Sequence, residues 1–129
     1  MPWRYLGYNE PTATKAVKVE DAEIAAKIAA IQQRVARIRR RQVNPEDAAR
    51  MLHQDAAYLK SAASRTDNRA AVSEITSVID LTVNAAISIE KNGSITRQAL
   101  NLLGWVQSGV NLAHGYLLGK PDWQAWMRR

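Results

Sequence analysis

Alanine recurs in adjacent pairs along proline-free stretches of this chain, and no other feature restricts its fold as strongly. The sequence holds 21 alanines and no phenylalanine. Alanine has the highest helix propensity of the amino acids, and its small side chain lets neighbouring helices approach closely. The pattern therefore predicts an all-α protein. The pairs are Ala25-Ala26, Ala29-Ala30, Ala48-Ala49, Ala56-Ala57, Ala62-Ala63, Ala70-Ala71 and Ala85-Ala86.

Apolar spacing and capping residues predict the first two helices. In the first, isoleucine and valine alternate at spacings of four and three residues, which places them along one narrow seam of a helix at about residues 19 to 42. Asn44 then offers an N-cap, and Pro45 suits the first position of a second helix. The seam consists of Ile24, Ile28, Ile31, Val35 and Ile38.

The remaining chain predicts two more helices. Polar residues 64 to 68 separate the second helix from a third at about 68 to 91, which Asn92-Gly93 ends. Ser94 is the expected N-cap of a fourth helix at about 95 to 118. On the third helix the expected core stripe is Val72, Ile75, Ile79, Val83, Ala86 and Ile87, with Ser73, Ser77, Asp80, Asn84 and Ser88 on the opposite face.

Links of only a few residues between these segments predict an antiparallel bundle of about four helices. The bundle is expected at residues 19–119, between an aromatic N-terminal arm at 1–18 and an aromatic C-terminal tail at 120–129. A chain of this length is expected to form one core, and its helical pattern predicts no sheet. The side chains expected to be buried are Ile28, Ile31, Val35, Leu52, Leu59, Ile75, Ile79, Val83, Leu103, Val106 and Val110.

The end of the first helix is strongly basic, with six Lys and Arg and no acidic residue between Ile24 and Pro45. A guanidinium binds a phosphate or a carboxylate through two parallel hydrogen bonds, so a row of them suits an anionic partner. The structural alternative is that these cations complement the helix dipole or pair with acids of the next helix. The expected anion or nucleic-acid contacts are Lys27, Arg34, Arg37 and Arg41.

The fourth helix is neutral, because residues 98 to 119 hold no charged side chain. Solvated helix faces usually carry Lys or Glu, so a small, uncharged face predicts a covered one. The cover is the aromatic arm or tail, a second copy, or a different protein. Trp residues in the tail are typical interface anchors, unless they pack back onto the bundle. The predicted partner interface is Asn101, Gly104, Ser108, Asn111, Gly115, Trp123 and Trp126.

The sequence offers few residues or motifs suited to catalysis or metal binding. The chain has no Cys, and its two His residues lack zinc-ligand spacing. His53 and Asp55 lie across a helix from one another and form no acid–base pair. No phosphate-binding Gly loop or nucleophile motif is present. We therefore expect no catalytic residues, no metal and no cofactor.

Together these features predict a non-enzymatic helical protein-binding module, such as an inhibitor, adaptor or assembly factor, whose partner is another protein or a second copy. The alternative is a nucleic-acid-binding protein that contacts phosphates through the Arg-rich end of the first helix, in keeping with the net charge of +6. Polar residues within 98 to 119 argue against a membrane span there. The first eight residues contain no continuous apolar run, which predicts a cytoplasmic location.

Overall fold

A computed structural model describes residues 17–119 and contains four α-helices in that range, with no strand. They are α1 at Val19–Arg39, α2 at Pro45–Ala63, α3 at Arg69–Asn92 and α4 at Arg97–Leu117. The all-α bundle predicted from the alanine pairs and the apolar spacing is confirmed. Most of the expected arm, the whole expected tail and, with it, Trp123 and Trp126 lie outside the described residues.

Side-chain caps begin three of the helices. Asn44 accepts a hydrogen bond from the Asp47 amide at 2.8 Å, and Pro45 occupies the first position of α2, as predicted. Gly93 ends α3 in the left-handed conformation with φ 64°, also as predicted. The N-cap of α4, however, is Thr96 rather than Ser94. The loop must first bury the side chain of Ile95, which delays the helix start by two residues.

The α1 helix ends three residues earlier than predicted, because Arg41 takes a left-handed conformation with φ 57°. The amides of Arg41 and Gln42 donate to the carbonyls of Ile38 and Arg37, both at 2.9 Å. This pair of hydrogen bonds is the Schellman motif, in which glycine is the usual left-handed residue. Arg41 therefore accepts a backbone conformation that costs a side-chain-bearing residue about 1 kcal/mol.

The core is formed by all four helices, but α3 holds the central position. It packs against both α2 and α4, whereas α1 packs mainly on α4 and touches α2 much less. The isoleucine seam of α1 is completely buried, as its spacing predicted. The predicted core residues confirmed as buried are Ile28, Ile31, Val35, Leu52, Leu59, Ile75, Leu103, Val106 and Val110.

The predicted core face of α3 was wrong, because the buried side of the helix is rotated about the helix axis relative to the prediction. Ile79 and Val83 are half-buried rather than buried, and Ile87 is 46% exposed. Ser88, expected on the solvent side, is buried. Because β-branched and alanine residues surround most of this helix, periodicity alone does not select one face, and contacts with the helices on both sides decide it. The α3 residues that do face the core are Ala71, Ile75, Val78, Thr82, Ala85, Ala86, Ser88 and Ile89.

Apolar side chains around much of α3 also give it the length and composition of a membrane-crossing segment, and α3 is the one helix within residues 17–119 that meets both criteria. A helix that packs against neighbours on two sides needs the same composition. In its most apolar window 39% of the residues are buried inside the bundle. The neutral helix α4, which the sequence singled out for this question, does not meet the criteria.

The close approach of α3 to α4 is tested by substitution of two α4 glycines. A Cβ atom at Gly109 would collide with Cγ1 of Val78, whereas the nearest atom to a Cβ at Gly104 is Nη2 of Arg39, at 3.8 Å. We expect Gly109→Ala to lower the free energy of unfolding by about 1–3 kcal/mol through overpacking. Urea unfolding followed by circular dichroism measures this value.

Gly104→Ala is the matched control. Alanine is the better helix former by about 1 kcal/mol, so this variant should be as stable as the parent or more stable. In a Val78→Ala background the clash at position 109 disappears, and Gly109→Ala should then stabilise the protein. Equal effects of the two alanines in the parent chain would contradict the close approach.

Candidate interaction surface

The predicted interface residues of α4 lie outside the core. The side chains of Asn101, Ser108 and Asn111 are exposed, and Gly104 and Gly115 are half-buried. The opposite side of the helix is buried and includes Leu103, Val106 and Val110. The structure therefore brings the five small, uncharged α4 positions together on one outward side, together with the 69% exposed side chain of Trp105 and with the guanidinium of Arg39 next to Gly104.

One edge of this surface joins α1. Gln32 Nε2 donates a hydrogen bond to Asn111 Oδ1 at 2.7 Å, and Gln107 Nε2 donates to the same oxygen at 3.3 Å. Nη2 of Arg39 lies beside Gly104, where no side chain intervenes. The outer sides of α1 and α4 consequently form one continuous surface rather than two separate ridges.

Five alanines of α1 lie outside the core, alongside the exposed Glu23, Gln33 and Arg37, and the functional interpretation of the sequence missed them. Ala22 and Ala26 are exposed, and Ala29, Ala30 and Ala36 are half-buried, on the side turned away from the isoleucine seam. The signal was present in the sequence, because these alanines fall between the seam positions on a helical wheel. We use the name α1–α4 face for Ala22, Ala26, Ala29, Ala30, Ala36, Asn101, Gly104, Ser108, Asn111 and Gly115.

Polar contacts fix the N-terminal end of α1 to the α2–α3 connection. Lys18 Nζ donates to Asp67 Oδ2 at 2.7 Å, which raises the pKa of the lysine and lowers the pKa of the carboxyl. Thr66 Oγ1 donates to the buried Asp21 carboxylate at 2.7 Å. Arg65 Nη1 lies 3.2 Å from a Glu20 carboxylate oxygen. These contacts hold the N-terminal end of α1 in place, where the backbones of α1 and α2 approach each other at few positions.

The four cations predicted to form one row on α1 differ in their hydrogen-bond and ion-pair partners. Arg34 forms an ion pair with Asp55 of α2: Nε donates to both carboxylate oxygens at 3.1 Å, and Nη2 donates to Oδ1 at 2.6 Å. The Asp55 side chain is only 4% exposed. Arg41 instead donates from Nη2 to the Ile95 carbonyl at 3.2 Å. For these two residues the structure shows internal partners.

Lys27 and Arg37 are exposed, and neither has a hydrogen-bond or ion-pair partner within residues 17–119. Lys27 lies seven residues before Arg34 and thus on the side of α1 toward α2. Arg37 lies on the outer side, in the last turn of the helix. Their contact with an anion or a nucleic acid stays a prediction.

A depression between α2 and α3 has a volume of about 920 Å³. Its apolar floor includes Pro45, Ala49 and Ile89, and His53 Nε2 lies 3.2 Å from Glu90 Oε1 at its rim. No group of three or more His, Asp or Glu side chains in the described range is arranged to hold a metal ion. His53 and Asp55 have different partners, because Asp55 is paired with Arg34 and His53 lies next to Glu90.

Comparison of the chain with models of protein families, with curated proteins and with solved structures finds no match in any of the three.

The Arg34–Asp55 pair generates a stability prediction. Arg34→Met leaves a buried carboxylate without its cation, so we expect the free energy of unfolding to fall by about 3 kcal/mol or more. The double variant Arg34→Met/Asp55→Leu removes both charges and should recover most of that loss. Urea unfolding at neutral pH measures both values.

Lys27→Met is the matched control, because Lys27 lies in the same column of α1 and has no partner among residues 17–119. An exposed substitution of this kind should change stability by no more than about 0.5 kcal/mol. Equal losses for Arg34→Met and Lys27→Met would show that the ion pair has no special role.

Proposed function

We propose that this protein is a non-enzymatic protein-binding module whose α1–α4 face packs against a partner. The observation that carries the proposal is the chemistry of that face: alanine, glycine, serine and asparagine occupy positions where solvated helices ordinarily present Lys and Glu. Small side chains let another backbone approach closely, and neutral ones avoid the cost of desolvating a charge.

The way in which α1 is held also supports the proposal. Ion pairs and hydrogen bonds attach it to the α2–α3 connection through Lys18, to α2 through Arg34 and to the α3–α4 connection through Arg41. Gln32 links it directly to α4. A surface that is already ordered before binding loses little conformational entropy when a partner arrives.

A specific observation keeps nucleic-acid binding as the second candidate. Arg37, Arg39 and Arg40 are exposed together at the C-terminal end of α1. Three cations of this kind suit phosphate groups, although Arg34 and Arg41 already have partners within the protein. Fluorescence anisotropy with labelled duplex and single strands at low salt tests this candidate. Binding that weakens with salt and is reduced in Arg37→Gln would favour it over the protein partner.

The proposed interface is tested by a photo-crosslinking amino acid at position 108 of the full chain, expressed in its native cell. Ser108 is exposed at the middle of the α4 part of the face, and Ser61 is an exposed serine on α2. We expect a crosslinked partner from position 108 and none from position 61. Mass spectrometry of the crosslinked band then identifies the partner for purification.

Binding of the purified partner gives the quantitative measurement. Ser108→Arg places a charge in the proposed interface, where desolvation costs several kcal/mol, so the dissociation constant should rise by about 100-fold or more. Ser61→Arg should leave the dissociation constant unchanged, and circular dichroism should show both variants folded. A folded Ser108→Arg variant that binds as tightly as the parent would refute the interface.

A further inference from the structure

Opposite charges lie near the two ends of α1, equally far from Ala30. Glu23 and Arg37 are both exposed, and neither has a partner within residues 17–119. Each is seven residues from Ala30, so the two charges lie about 21 Å apart along the helix axis. Seven residues are close to two helical turns, and therefore all three residues lie on the same side of α1.

These residues belong to a second seam on α1, turned away from the core. Its members are spaced alternately by four and three residues, the repeat that lets two helices pack along their whole length. Alanine stands at the centre of the seam, and small side chains there allow an interaxial distance near the lower limit of about 8 Å. The seam consists of Val19, Glu23, Ala26, Ala30, Gln33, Arg37 and Arg40.

The charges on this seam select both the partner and its direction. We propose that α1 packs antiparallel against α1 of a second copy of this chain, with Ala30 on the two-fold axis. Glu23 of each copy then lies opposite Arg37 of the other, and Ala26 lies opposite Gln33. A parallel pair would instead place like charges together. The inference rests on the proposed function, since it names a partner for the α1 part of the α1–α4 face, with which the seam shares Ala26 and Ala30.

Charge reversal at the two ends of the seam tests the inference on the full chain. In a symmetric pair, Glu23→Arg alone creates two Arg–Arg contacts, and Arg37→Glu alone creates two Glu–Glu contacts. We expect each single variant to raise the dissociation constant of the dimer by about tenfold or more. Sedimentation velocity over a concentration series measures this as a shift from twice the chain mass toward 14.4 kDa.

Mixing the two single variants supplies the sharpest outcome. In the mixed pair both Glu–Arg contacts are restored, so the mixture should dimerise as the parent does while each component remains largely monomeric. The double variant Glu23→Arg/Arg37→Glu should also dimerise. Lys60→Glu is the control, because Lys60 is likewise an exposed cation in the last turn of a helix, α2, and its reversal should leave the dimer intact.

A parent chain that stays monomeric at every concentration would overturn the inference, as would single variants that dimerise like the parent. Neither result refutes the proposed function. If the crosslink at position 108 then yields a different protein whose binding is lost in Ser108→Arg, the α1–α4 face is still an interface, but its partner is that protein and not a second copy. If position 108 gives no partner and the parent is monomeric, both proposals fail.

Discussion

The ion pair between Arg34 and the buried carboxylate of Asp55 is the directional contact that joins α1 to α2. The backbone of α3 lies close to α2 and α4, and that of α1 lies close to α4, but the backbones of α1 and α2 approach each other at few positions. Across this wider gap the guanidinium of Arg34 donates to both oxygens of the Asp55 carboxylate, from Nε at 3.1 Å and from Nη2 at 2.6 Å. A directional contact of this type fixes the register of two helices in a way that sliding apolar surfaces do not. The outer side of α1, and with it the α1–α4 face, takes its place from that register.

The sequence predicted the fold well because the signals that define it are local. The caps at Asn44 and Gly93, and the seam of α1, depend on residues within a few positions of one another. The rotation of α3 is a different kind of property. Val78 faces the core because Gly109, 31 residues later, leaves room for it, and no local pattern contains that information. The left-handed conformation of Arg41 is equally hidden, since arginine is an uncommon residue for it.

The candidate site was predicted in part. The small neutral residues of α4 lie outside the core on one side, as their helical spacing suggested. The row of cations on α1 was harder to interpret, because a guanidinium that binds a partner and one that neutralises an internal acid look the same in sequence. Arg34 belongs to the second kind, and Arg41 donates to the backbone carbonyl of Ile95. The alanines of α1 predicted helix formation, but those outside the core also leave room for a second helix to approach, and the sequence analysis did not consider this.

The left-handed residue at the end of α1 has a consequence for the order in which the chain folds. The strain at Arg41 is offset in the folded state by a hydrogen bond to a carbonyl 54 residues away in the α3–α4 connection. This contact forms only after α3 and α4 have packed onto the bundle, so it does not help the connection between α1 and α2 to form. By the same logic its loss speeds unfolding more than it slows folding. The α3–α4 connection thus slows unfolding at the end of the bundle where α1 terminates.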